Sequence, residues 1–182
     1  MKKDLRFDLG GGAELRAFTP NDMKDLYAVV DAERDRLREW LPWVDLVKSV
    51  EDERRWLELV TASEGNLDGN GIFADGRFAG GCGMRVDPYG VSAEIGYWLS
   101  AAFEGRGLVT RSCRALIGLA FGELGVHRLM VRAGAENLRS RAVPERLGFT
   151  QEGIHREEGS GGRGFHDLVV YGLLDREWPA GS

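Results

Sequence analysis

Hydrophobic and polar positions change their period several times along this chain. Residues 14–18, ELRAF, alternate and predict a strand. Thr19, Pro20 and Asp22 then stand as N-cap, first helical residue and capping-box partner, predicting a helix to about Arg36. Pro42, inside LREWLPWV, ends that regularity. Ser49 with Asp52 repeats the capping pattern and opens a second helix through ERRWLELVTA, which residues 65–71 break. Three strands follow, IFAD, RFAGGCGMRV and VSAEIGYWLS, with turns at Asp75-Gly76 and DPYG. From 108 to 124 apolar residues return at helical spacing, among them Leu108, Cys113, Leu116, Ile117 and Leu124. HRLMVRA reads as a strand, and NLRSRAVPERLG as a short helix that Pro144 distorts and Gly148 stops. FTQEGIHRE and FHDLVVYGLL form an antiparallel pair, with EGSGGRG between them as a mobile hairpin loop. The order β, α, α, three β, α, β, α, β, β predicts one α/β (α+β) domain over 1–182, its sheet mixed and mostly antiparallel.

Composition narrows the function classes. The 24 Lys and Arg against 29 Asp and Glu give a net charge of -5, which disfavours non-specific nucleic-acid binding and suits a cationic substrate. Cys82 and Cys113 form neither a CxxC nor a disulfide framework, as expected in a reducing compartment. MKKDLRFDLG has two lysines without an apolar run behind them, so no signal peptide is expected. No apolar run approaches the roughly 18 residues of a membrane span. A cytoplasmic protein is the expectation, with no membrane partner. His127, His155 and His166 lack metal-ligand spacing with any acidic cluster, so no metal is expected.

FEGRGLVTR, at 103–111, sets two glycines around one arginine between a strand and a helix. Such a turn can aim free N–H groups at an anion, or simply cap a helix. The residues alone leave both open.

Taken together, EIGYWLS, EGRGLVT, HRLMVRAGAENLRSRAVPERLGF, FHDLVVYGLL with EW, and LREWLPW resemble the GNAT N-acetyltransferase superfamily, in its RimJ/RimL-type branch. The resemblance covers roughly 14–178. It implies a central sheet with helices on both faces, acetyl-CoA as co-substrate, and transfer to an amine by direct attack in a ternary complex. The family's diphosphate loop, (Gln/Arg)-x-x-Gly-x-(Gly/Ala), falls on Glu104 to Val109, with Arg106, Gly107, Leu108, Val109 and Thr110 as cofactor-binding positions. Glu104 and Val109 depart from that pattern. Asn137 matches the residue that bonds the pantetheine arm, and the backbone of Trp98 and Leu99 the strand end beside it. Ser140 matches the polar residue near the thioester sulfur, where it also contacts the cofactor and donates the proton to the thiolate.

Each of these has a plainer alternative: Asn137 as an N-cap, Ser140 as a solvent-facing helix residue. Glu94, on the strand leading to the loop, is the first candidate base, and Glu158, beside Glu157, the second. An ordinary glutamate is a weak base for an ammonium, so a raised pKa or a water relay is required. Trp40 and Trp43 are candidate substrate-binding residues, or core. The resemblance implies a protein or peptide α-amine as acceptor, such as a ribosomal-protein N-terminus. A small-molecule amine acetyltransferase of detoxification or resistance type, and a non-catalytic acyl-CoA-binding protein, stay open beside it. So does the oligomeric state, a homodimer included.

Overall fold

The computed structural model describes residues 5–62 and 67–179. The chain opens with a hairpin, β1 (Arg6–Gly10) and β2 (Ala13–Ala17), turned by three glycines at positive φ. Helices α1 (Met23–Ala32), α2 (Arg34–Leu37) and α3 (Val50–Ala62) follow. Next come β3 (Asn70–Ala74), β4 (Arg77–Val86), β5 (Ser92–Leu99) and helix α4 (Leu108–Gly122). The chain closes with β6 (Arg128–Gly134), α5 (Leu138–Arg146), β7 (Thr150–Gly161) and β8 (Gly164–Leu174). All eight strands form one sheet in the order β1-β2-β3-β4-β5-β6-β8-β7. Among the described residues only β5 and β6 are parallel neighbours.

Strand alternation divides the apolar side chains between two faces. Leu15, Ile72, Ile95 and Leu129 turn to the face covered by α4 and α5, where Leu116, Ile117 and Leu147 meet them. Phe18, Phe73 and Phe78 turn to the other face, under Met23, Val30 and Leu57 of α1 and α3. The mixed, mostly antiparallel sheet with helices on both faces is as expected. No helix among the described residues is long and apolar enough to cross a membrane.

Both expected helix starts are present. Asp22 accepts from the Thr19 amide and hydroxyl at 2.7 Å each, and Asp52 accepts from Ser49 Oγ at 2.9 Å and the Lys48 amide at 3.0 Å. Three expectations need correction. Strand β1 was not among the elements expected, because only Leu9 of its five residues is buried and an edge strand carries little alternation. The helix expected to reach Arg36 breaks at Glu33 (φ -112°, ψ 15°), whose carboxylate accepts from the Ser100 hydroxyl and the Ala101 amide on the far strand end. The expected loop over 157–164 is mostly strand: β7 and β8 continue to Gly161 and Gly164 and leave a two-residue turn. The expected break at 65–71 lies partly outside the described residues; 67–69 are coil.

One charge in the helical layer is out of place. Glu53 of α3 is 3% exposed and its Oε1 has no partner among the described residues. Burial, and then the Asp52 charge, push its carboxyl up to about 7 against the pull of Arg34. The folded chain therefore holds a proton that the unfolded chain releases near its ordinary value, so this site favours folding at low pH and loses that contribution as pH rises through about 7. Glu53→Gln should raise stability at pH 8 by about 2 kcal/mol and change it little at pH 5. Urea unfolding at the two pH values measures this, and an equal change at both would place the ionisation elsewhere.

Candidate active site

Between β5 and α4 a single 3-10 turn, Ala101–Phe103, delivers the chain to Glu104–Gly107. Gly105 and Gly107 hold φ of 75° and 68°, the left-handed region that glycine reaches without steric cost. Gly107 is the N-cap of α4 and has no side chain to cap it. The Arg111 amide makes the first intrahelical bond, to Gly107 O at 3.1 Å, so the amides of Leu108, Val109 and Thr110 have no helical carbonyl behind them. Leu108 anchors this end in the core, and Val109 packs against the same cluster. Arg111 bends back to the Arg106 carbonyl at 3.0 Å, leaving its Nε buried and unpartnered among the described residues. A positive dipole end, free amides and an orphaned guanidinium nitrogen together fit a diphosphate.

The sheet opens beside this turn. β5 and β6 pair only at Ser92, Ala93 and Glu94 with Arg128, Leu129 and Met130, and then part. The Ser100 amide donates to Ala79 on β4, so by alternation the amide and carbonyl of Leu99 face the gap. That carbonyl accepts from Arg36 Nη2 at 2.7 Å. The same alternation turns the Trp98 backbone to β4. Its indole lies among Trp43 and Phe78, at ring separations of 6.0 and 5.6 Å.

Across the gap stands α5. Asn137 caps it, accepting from the Ser140 amide at 3.2 Å. Pro144 does not break the helix, but it has no amide to give the carbonyl four residues back, which is that of Ser140. Tyr97 of β5 fills the vacancy: its hydroxyl donates to Ser140 O at 2.8 Å. Ser140 Oγ lies 3.4 Å from the same phenol oxygen. Burial pushes the Tyr97 phenol well above its ordinary value, so it stays a donor. Sequence reading missed Tyr97, although a proline four residues after a candidate serine marks a free carbonyl.

On the opposite face of β5 and β6 the two candidate bases meet through Arg132. Its Nε and Nη2 bind both oxygens of Glu94 at 2.9 and 3.0 Å, and its Nη1 lies 2.7 Å from Glu158. His155 holds the other Glu158 oxygen. The His155 hydrogen bond, with Arg132 behind it, keeps Glu158 below the usual carboxylate range, the reverse of the raised pKa a direct base requires.

The acceptor-side tryptophans are both packed. Trp43 belongs with Trp98 to the second core. Trp40 lies over Gly134, where a Cβ would come within 2.5 Å of its ring, with His166 edge-on at 5.3 Å and the Arg163 guanidinium 5.2 Å away. The turn of the β7–β8 hairpin is fastened to the same segment. Gly162 donates to Arg38 O at 2.7 Å, and Arg163 pairs with Glu39 and Glu136. This wall is held in place, where a mobile loop was expected. Among the described residues no group of three His, Cys, Asp or Glu side chains is placed to hold a metal.

Residues 13–150 match the acetyltransferase (GNAT) domain. The chain belongs to the GNAT acetyltransferase family. It is 38% identical over 169 residues to the putative ribosomal N-acetyltransferase YdaF of Bacillus subtilis, covering 90% of this chain and 92% of that protein. It is 27% identical to the ribosomal-protein-serine acetyltransferase of Escherichia coli, covering 88% and 92%. A solved structure of RimL, a ribosomal L7/L12 α-N-protein acetyltransferase in complex with coenzyme A, superposes with a TM-score of 0.88 at 25% identity, over 93% of this chain and 98% of that one.

As a GNAT N-acetyltransferase the chain places its candidates in three groups. Leu108, Val109 and Thr110 start α4 behind the Gly107 cap, with Arg106 just before it paired to Asp75 and Thr110 accepting from Arg146. Leu99, Ser140 and Asn137 line the gap, and Glu94 with Glu158 lie on the face beyond it. If Pro144 is the reason Tyr97 is needed, Tyr97→Phe should cost about 1–2 kcal/mol in the native chain and much less beside Pro144→Ala, which restores an amide to Ser140 O. Urea unfolding of the four chains decides it; equal losses in both backgrounds would sink the pairing.

Proposed function

We propose that the protein transfers an acetyl group from acetyl-CoA to the N-terminal α-amine of a protein, a ribosomal protein being the favoured acceptor. The observation that carries this is the gap between β5 and β6, with the uncapped start of α4 at one end, Ser140 on its wall and two carboxylates beyond it. The 38% identity to a putative ribosomal N-acetyltransferase supports the choice of acceptor.

Bound acetyl-CoA supplies the thioester carbonyl that an amine attacks. The amides of Leu108, Val109 and Thr110, with Arg106 and Arg111, hold its diphosphate. The Leu99 amide offers the arm an extended edge. Ser140 Oγ, whose hydroxyl lies 3.4 Å from the Tyr97 phenol oxygen, turns its proton from that long contact to the departing thiolate and takes one back from water, and no covalent enzyme intermediate is needed. Cys113, buried with its sulfur 3.8 Å from that of Cys82, stays out of the chemistry. On the acceptor side Glu94, Arg132 and Glu158 carry an excess of one negative charge, which draws a cationic amine in. With Glu158 held low, the ammonium's proton leaves through water that Glu94 or Glu158 orients, rather than by direct transfer to Glu158.

A thiol-release assay on peptides bearing ribosomal-protein N-termini, run beside a panel of small amines, tests the acceptor. Peptides should lead by at least tenfold in kcat/KM, and a lead for the small amines would overturn that choice. Ser140→Ala should lower kcat by about 10²-fold with the acetyl-CoA dissociation constant within about twofold. Full turnover in that variant would hand the proton to water.

A further inference from the structure

Glu104 brings a negative charge to the start of α4, where an anion is expected to bind, and the structure shows what it does there. Its Oε1 lies 3.3 Å from Arg36 Nη1 and its Oε2 2.5 Å from Arg139 Nη1. Arg36 comes from the helical layer on one face of the sheet, and Arg139 from the first turn of α5 on the other. One carboxylate therefore ties both sides of the gap together in front of the glycine turn. The two cations are not held alike. Arg36 is anchored again, by Glu33 at 2.8 Å and by the Leu99 carbonyl at 2.7 Å. Arg139 reaches Glu104 through solvent, its side chain 85% exposed.

We propose that Arg36, Glu104 and Arg139 form a clasp across the mouth of the cofactor gap, which opens when Arg139 exchanges Glu104 for the cofactor's diphosphate while Arg36 keeps the carboxylate. This rests on the 104–110 turn being the diphosphate site. A guanidinium forks onto phosphate oxygens as readily as onto a carboxylate, so the exchange conserves the bonds of Arg139. Exposed pairs are weak, so the clasp yields to a ligand bearing more charge. Glu104 stands in for the phosphate until the phosphate arrives. The apparent mismatch of charge thus becomes a competition for Arg139, and a Gln at 104 removes the competitor.

Exchange differs from simple repulsion in how two substitutions combine. Under exchange, Arg139 spends part of its value on breaking its bond to Glu104, so its loss is felt more when Glu104 is already gone. With charges fixed in place the two effects on the ligand multiply independently, or Glu104 harms binding more once Arg139 no longer screens it. Arg139 is at the surface and Glu104→Gln keeps the size and shape of a partly exposed side chain, so the variants keep the fold. Calorimetry with coenzyme A on the native chain, Glu104→Gln, Arg139→Gln and the double variant reads the difference. Arg139→Gln should weaken binding about threefold in the native chain and about tenfold beside Glu104→Gln. Equal factors, or a larger factor in the native chain, overturn the clasp and leave the turn as the binding site. No binding heat in any of the four chains overturns the clasp and the cofactor site together.

Discussion

The two halves of the sheet are held to each other by three residue pairs. β5 is paired along its length to β4, and β6 along its length to β8, so each has a stronger claim on its outer neighbour than on the other. Parallel pairing is slightly the weaker kind per residue, and each strand's twist turns it away from a neighbour to which it is not bonded. Past Glu94 and Met130 the two strands separate, and backbone that a continuous sheet would consume is left for a ligand. The rest of the molecule is arranged around that separation. Tyr97 reaches α5 across it on one face, and Arg36 reaches Leu99 on the other.

Charge around the gap is organised in two triplets of opposite sense. At the cofactor mouth one carboxylate, Glu104, sits between two guanidiniums; on the acceptor face one guanidinium, Arg132, sits between two carboxylates. The acceptor-face triplet carries one uncompensated negative charge, where an amine is expected, whereas at the cofactor mouth Glu33 also pairs with Arg36, so the charges there balance until Arg139 is released. Internal pairing keeps each group oriented while the surplus sets the sign of the local field.

How much of this could be read from the sequence depended on the range of the interaction. Short-range signals held: Thr19 and Ser49 start their helices, and the glycine turn leads into α4 as the strand–glycine–helix order implied. Long-range partners did not show. Nothing around Glu33 announces that its carboxylate belongs to Ser100 and Ala101, so the helix was drawn through it. The glycines of 159–164 suggested freedom. Instead Gly159 and Gly161 are required by contact, since a Cβ at Gly161 would lie 2.4 Å from Glu39 O and one at Gly159 2.4 Å from the His166 ring. The candidate carboxylates are legible from their places beside the strand and the glycine-rich segment, whereas Arg132, which joins them, lies 38 residues from Glu94 and carries no local signal of that role.

Residues 33–40 touch both approaches at once. Glu33 and Arg36 hold the strand end and the cofactor mouth, while Arg38, Glu39 and Trp40 hold the hairpin tip over the acceptor face. A single short segment with that many obligations has little room to drift. Under the proposed function, any change that reshapes it for a new acceptor also disturbs the mouth proposed for the other substrate.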